Sequence, residues 1–331
     1  MKRNPYLFVV GCPRSGTTLL QRMLDNHPQL AVANDSHFIP RAIKQVGIGI
    51  DPVLTPELIE AVRTYHRFHR LGLSEGAVDE AASDARTYAQ FVSALYSLLA
   101  RAHGKLLAGE KTPDYVKVLP LLHGLFPWVR TIHIIRDGRN VALSTLEWSK
   151  EGRGPSRFAL WRQEPVAVCA LWWQWQVSAG MQDGARLGAD QYHEVKYEDL
   201  IARTEQKLRE LAEFLDLPFA TEMQTYHEGK TRHQPGLSAK KAWLPPTQGL
   251  RDWRTQMRAR DLELFEALAG RLLVELGYER SADSISSEVA DIAEKCQYWW
   301  DLEMARRKSS KAVSRDLQSA DNAESVDARV N

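Results

Sequence analysis

The sequence predicts an α/β protein of three layers, helices on both sides of a central parallel sheet, with a phosphate-type loop after the first strand. Three observations predict it: β-branched runs alternate with helix-period segments, the first run is apolar at every position, and a glycine turn joins it to an amphipathic helix. Leu7 to Val10 is that run, a strand covered on both faces, and Gly11 ends it. Leu19, Leu20, Met23 and Leu24 share one face of the helix that follows, and Asn26-His27-Pro28 stops it. Strand, loop and helix open a βαβ unit. Leu30 to Ala33 reads as a second strand, and Thr55 to His103 as helical, through Leu58, Ile59, Val62 and Tyr65 and then Phe91, Leu95, Leu98 and Leu99. Lys105 to Ala108 and Thr131 to Ile135 are further strands. Val166 to Val177 is apolar nearly all round, with Trp172, Trp173 and Trp175, as a core helix is. Tyr192 to Tyr197 is the last strand, before an amphipathic helix through Leu208, Leu211 and Leu215. A terminal helix carries Trp299 and Trp300. Beyond Arg306 the Ser, Lys, Asp and Ala composition predicts a disordered tail. The expected organisation is one domain over 1–283 with a helical insertion at about 52–103, a helix over 284–305 and a tail over 306–331.

With 43 basic and 42 acidic side chains in 331 residues, the formal charge is +1, which argues against a nucleic-acid partner. Hydrophobic residues at 44% supply a sizeable core and exclude collagen-like and disordered classes. Cys12, Cys169 and Cys296 are too scattered for a disulfide framework or a zinc site. Met1-Lys2-Arg3 before Tyr6 to Val10 imitates a signal peptide, and Val9-Val10-Gly11-Cys12 a lipoprotein cleavage site. The apolar stretch is only five residues, too short for that role. No run is long enough to span a bilayer. The expectation is a reduced, cytoplasmic protein without a membrane span; its oligomeric state is left open.

The strongest local signal is Gly11-Cys12-Pro13-Arg14-Ser15-Gly16-Thr17-Thr18. A loop between strand and helix aims backbone N–H groups and the positive helix end at one anion. The spacing is that of the Walker A loop, but Thr17 stands where nucleotidases carry the lysine that holds β- and γ-phosphates. The ligand therefore has a phosphate-like 5′ group and no γ-phosphate, and Arg14 is the loop's positive charge.

Pro13 to Leu19 resembles the 5′-phosphosulfate loop of sulfotransferases that use 3′-phosphoadenosine 5′-phosphosulfate (PAPS). A second mark of that family is a strand ending in Arg with Ser eight residues on, and Ile132 to Ser144 has it in Arg136 and Ser144. The resemblance implies that these two hold the 3′-phosphate, the Arg by a bidentate fork. Tyr197-Glu198-Asp199-Leu200 is similar to a motif whose Tyr lies near the nucleotide, and Glu110-Lys111-Thr112-Pro113 to one that sets a Lys beside the acceptor. Gly249 to Arg254 resembles the late loop that closes over the adenosine; Asp252 replaces the family's basic residue, leaving Arg251 or Arg254 for the phosphate.

What the resemblance implies is a PAPS-dependent O-sulfotransferase without a metal. A hydroxyl of a small molecule, lipid or glycan would attack in line and leave adenosine 3′,5′-bisphosphate. Arg14, the loop N–H groups and Lys111 would meet the developing charge. The insertion at 55–103 and the loop from Trp148 to Phe158 would wall the acceptor pocket. Asp35 sits where the family usually has a glutamate base, and is competent if its pocket raises its pKa toward neutrality. His37 and Glu110 are rival bases. Two other classes stay open. A P-loop kinase or nucleotidase would need the missing lysine and an acidic Mg²⁺ ligand, and a non-catalytic nucleotide-binding module would keep the loop without the base.

Overall fold

The computed structural model describes residues 3–46, 51–74, 76–149, 154–228, 245, 251–281 and 284–327, with side chains as far as Lys308. In chain order the elements are β1 (Leu7–Val10), α1 (Thr17–Asp25), β2 (Leu30–Asn34), α2 (Phe38–Val46), α3 (Pro56–Arg63), α4 (Ala77–Ala82), α5 (Tyr88–Ala102), β3 (Leu107–Lys111), α6 (Leu119–Leu125) and β4 (Arg130–Ile135). They continue with α7 (Gly138–Trp148), α8 (Pro165–Gly184), β5 (Tyr192–Lys196), α9 (Tyr197–Ala202), α10 (Thr204–Phe214), α11 (Trp253–Gln256), α12 (Ala259–Glu275) and α13 (Ser287–Asp327). Two compact units result: residues 1–136 with 176–250, and residues 137–175 with 251–331.

The first unit holds a five-stranded sheet in the order β2-β3-β1-β4-β5, and every pair is parallel. The alternation in β1 explains its unbroken hydrophobicity. Phe8 and Val10 enter one apolar cluster with α2, α3, α5 and α6, while Leu7 and Val9 enter another with α1 and α10. All four are fully buried, and burying such side chains contributes about 1.5–3 kcal/mol each. The chain leaves β1 toward β2 and leaves β4 toward β5, so connections diverge from two adjacent strands. That is where α/β sheets open a ligand crevice at the carboxyl ends of their strands.

The second unit is helical. Its α12 and α13 pack together, and the Trp300 ring lies tilted against Phe158 with centroids 4.5 Å apart. No helix among the described residues is long and apolar enough to cross a membrane.

Two expectations change. The third strand is Leu107–Lys111 rather than Lys105 to Ala108, because the buried Gly109-Glu110-Lys111 end continues the pairing with β1 and β2. The helix expected to end near 305 continues as α13 to Asp327, into the stretch from Arg306 read as a disordered tail. Few large hydrophobes deny a segment a core, but Ala, Arg, Lys, Glu and Gln are strong helix formers.

Two histidines in the first unit make its stability pH-dependent. Burial lowers the pKa of His133 to about 3 and that of His123 to about 4. Both are held neutral when folded, so their contribution is complete above the unfolded value of about 6.5 and is lost as pH falls below it, by about 1.4 kcal/mol per pH unit for each group. The urea midpoint should therefore drop between pH 7.5 and pH 5. His123→Phe should show a smaller drop; an unchanged one would remove His123 from the account.

Candidate active site

The loop after β1 is built on positive-φ positions. Gly11 has φ 150°, and a Cβ there would lie 2.4 Å from the Ile134 carbonyl oxygen. Gly16 has φ 94°, and a Cβ there would lie 2.3 Å from the Tyr197 ring. Arg14 adopts φ 81°, a region costly for a non-glycine residue and concentrated at functional sites. Gly16 caps α1 without a side-chain hydrogen bond, so the helix's first N–H groups, including those of Thr17 and Thr18, keep their outward aim. Ser15 is fully buried, and its hydroxyl has no hydrogen-bond partner among the described residues. Leaving such a group unsatisfied costs about 1–3 kcal/mol, which an anion oxygen seated in the loop would offset. The cradle fits a phosphate-like group. Cys12 is fully buried and Pro13 lacks an N–H, so these two shape the loop's backbone.

Arg136 follows β4 and is 8% exposed. Its guanidinium lies 4.2 Å from the centroid of the Tyr197 ring and donates to the Arg14 carbonyl oxygen at 3.4 Å. The same Tyr197 ring lies against Gly16, so three of the expected nucleotide residues meet at the β1/β4 edge. Burial raises the Tyr197 hydroxyl's pKa, against the pull of Arg136.

A second cluster forms in the same unit where β2 and β3 end. Asp35 and His37 both take left-handed backbone, φ 63° and 61°. His37 Nε2 donates to Asp35 Oδ1 at 2.8 Å, and Arg70 donates to Oδ2 at 3.1 Å, with Arg67 at 3.8 Å. Burial alone would raise the Asp35 pKa. The His37 hydrogen bond and the charges of Lys111 and Arg67 outweigh it and hold the carboxyl well below the carboxylate range. A pKa raised toward neutrality was the condition for Asp35 to act as base, and the shift runs the other way. Lys111 is 4% exposed; burial lowers its pKa against the attraction of Asp35 and Glu110.

Glu110 is fully buried, and both oxygens already accept hydrogen bonds. Oε1 takes the Ser36 N–H at 2.7 Å, the Ser36 hydroxyl at 2.6 Å and the Thr112 hydroxyl at 2.5 Å; Oε2 takes the Tyr96 hydroxyl at 2.5 Å. A carboxylate so occupied is badly placed to take a proton from an acceptor.

In the second unit Ser144 is 5% exposed on α7. Arg251 pairs with Glu147, which shares a helix face with Ser144 one turn earlier. Arg254 instead pairs with Glu279 at 3.3 Å, its side chain 58% exposed. Beside them is a buried network that the spacing of the motifs does not reveal. Arg139 donates to Asp137 at 2.8 and 3.0 Å and to Glu266 at 2.6 Å, with Trp253 at 3.7 Å from its guanidinium. Trp253 donates its indole N–H to Asp137 at 3.0 Å and its backbone N–H to Asn140 at 3.0 Å. Asp137 and Arg139 are visible in the sequence only as a charged turn; Glu266 and the arginines at 67 and 70 carry no local signal at all. Among the described residues, no group of His, Cys, Asp and Glu is arranged to hold a metal ion.

The chain belongs to the sulfotransferase family: the family model matches residues 5–221. Among curated relatives it is 26% identical over 220 residues to protein-tyrosine sulfotransferase A of Caenorhabditis elegans, covering 66% of this chain and 51% of that protein. It is 27% identical over 332 residues to the nodulation protein NoeE of Sinorhizobium fredii, covering 89% of this chain and 73% of that one. The chain thus spans about half the length of the first relative, 51%, and 39% of the tyrosine sulfotransferase of Drosophila melanogaster. Its fold is that of the sulfotransferase domain from the Synechococcus PCC 7002 olefin synthase, with TM-score 0.54 and 22% identity over 84% of this chain and 96% of that one.

Proposed function

We propose that this protein transfers a sulfuryl group from PAPS to an acceptor hydroxyl by in-line displacement. The observation that carries the reading is the loop at the β1/β4 edge, with Thr17 in the lysine position and a buried Ser15 hydroxyl that has no partner among the described residues. PAPS, when bound, supplies the sulfuryl group and a phosphate leaving group. On this reading the loop N–H groups and Ser15 hold the 5′ oxygens, and Arg14 and Lys111 offset the charge that grows during transfer. The family resemblance gives Arg136 and Ser144 to the 3′-phosphate. Of the two late arginines we assign Arg251, because its partner Glu147 shares a helix face with Ser144.

Proton removal falls to the pair Asp35 and His37. A carboxylate held ionised and bonded to Nε2–H fixes the imidazole tautomer that leaves the lone pair on Nδ1, and steadies the ring when it becomes cationic. His37 is then the acceptor and Asp35 its orienter. The acceptor molecule belongs to the hydroxyl class of small molecules, lipids, glycans and, as the names of the relatives add, protein tyrosines.

The test is nucleotide selectivity followed by transfer. A charge-assisted contact contributes about 1.5–3 kcal/mol, so adenosine 3′,5′-bisphosphate should bind more than about tenfold tighter than adenosine 5′-monophosphate by calorimetry. Arg136→Ala should abolish the preference. Equal affinities in the native protein would overturn the reading. With selectivity established, labelled PAPS and a panel of an alkyl alcohol, a glycan, a lipid alcohol and a tyrosine peptide identify the acceptor.

A further inference from the structure

Glu110 lies between the loop that carries Asp35 and His37 and the helical segment at 52–103, and nothing in sulfuryl transfer itself calls for it. Its carboxylate is fully buried in β3 and takes donors from four residues. Two are successive backbone N–H groups, Ser36 at 2.7 Å and His37 at 3.3 Å. Such a pair of converging N–H groups arises when the backbone takes left-handed values beside ordinary ones, forming a nest for an anion. Here the anion is the protein's own side chain, and the residues flanking Ser36 are the two at φ 63° and 61°. That conformation is costly for an L-residue with a Cβ, if less so for Asp and His, and contacts that fix the turn help to hold it. Removing the carboxylate removes what the two N–H groups point at.

On its far oxygen Glu110 accepts from Tyr96 of α5, at 2.5 Å. Tyr88 of the same helix donates to the Ile39 carbonyl at 3.0 Å, and Tyr115 accepts from the Ile39 N–H at 3.3 Å. The start of α2 is thus held from α5 and from the segment after β3, with Glu110 at the centre.

We propose that Glu110 is a positioning residue: its carboxylate enforces the left-handed Asp35-Ser36-His37 turn and so brings the Asp35 carboxylate to the His37 ring. This rests on the assignment of proton acceptance to that pair. Glu110→Gln keeps the shape but removes the charge and one accepting oxygen, so an NH₂ stands either beside the Ser36 and His37 N–H groups or beside the Tyr96 hydroxyl. Displacing catalytic groups by about 1 Å can cost roughly 10²-fold, and turnover should fall by that order while affinity for adenosine 3′,5′-bisphosphate stays unchanged. Ser36→Ala removes one hydroxyl donor and keeps both backbone donors, so it should lower turnover less, with the same unchanged nucleotide affinity. Imidazole nitrogen NMR of His37 reads the contact whether or not transfer is observed. In Glu110→Gln the His37 signals should move toward those of Asp35→Asn, and this separates failure of the positioning role from failure of the transferase reading. Unmoved His37 signals in folded Glu110→Gln, or full turnover per folded molecule in it, would overturn the proposal. Should that variant fail to fold, Glu110→Asp, which withdraws the carboxylate from the two N–H groups by one methylene, decides by the same two readouts.

Discussion

His37→Ala should lower turnover by about 10²–10⁴-fold, the range for removing a general base, and leave adenosine 3′,5′-bisphosphate affinity intact. The expectation follows from division of labour in the pair. Asp35 is paired with His37 and Arg70, and the His37 hydrogen bond and nearby cations hold its carboxyl well below the usual range, which favours His37 as the acceptor in the proposed pair. Asp35→Asn should also lose turnover, because a neutral amide neither fixes the tautomer nor stabilises an imidazolium. Steady-state turnover and nucleotide calorimetry on both variants check the assignment. Normal turnover in His37→Ala beside loss in Asp35→Asn would make Asp35 itself the base. The carboxylate's stabilising contribution has its own sign: its folded pKa is depressed, so the contribution is complete above about pH 4, the unfolded carboxylate value, and is lost only as the pH falls toward the folded one.

A second large effect belongs to Arg139, whose side chain is 1% exposed between the acids Asp137 and Glu266. Arg139→Met fills similar volume but removes the buried cation shared by the two carboxylates, leaving Glu266 with Arg280 at 3.9 Å. Breaking a buried pair from one side costs about 3–5 kcal/mol. The loss should appear as a lower urea midpoint read by tryptophan fluorescence, since Trp253 lies against the same guanidinium at 3.7 Å. Replacing the acids as well, by Asp137→Asn and Glu266→Gln, should recover part of it. A shift below about 1 kcal/mol in the single variant would put the network in the class of exposed surface pairs.

The features legible in the sequence are those whose determinants are neighbours in it. The β1 run, the glycine loop and the arginine after β4 each declare themselves within about ten residues, because hydrophobic period and loop chemistry are local. The third strand is hard to place from sequence because its end is polar: Glu110 and Lys111 look like surface residues, and donors as distant as Ser36, 74 positions away, make the burial of Glu110 tolerable. The relation of Asp35 to His37 was hidden for another reason. Residues two apart in an extended loop point the same way only loosely, and the left-handed backbone that joins them leaves only a faint mark in residue type, since Asp and His merely adopt it more often than other non-glycine residues. The tail shows the converse limit, for composition governs whether a segment can form a core and helix propensity governs its local shape.

The buried assembly of Asp137, Arg139, Trp253 and Glu266 also constrains descent. Arg139 and Glu266 are 127 positions apart, yet exchanging one while the other keeps its charge is costly. A lineage that lost the arginine alone would carry stranded acids through every generation until they too were replaced, at a stability few small proteins can forgo. The four positions are therefore expected to be inherited as one character: among related chains they should be kept together or replaced together, and mixed combinations should be scarce.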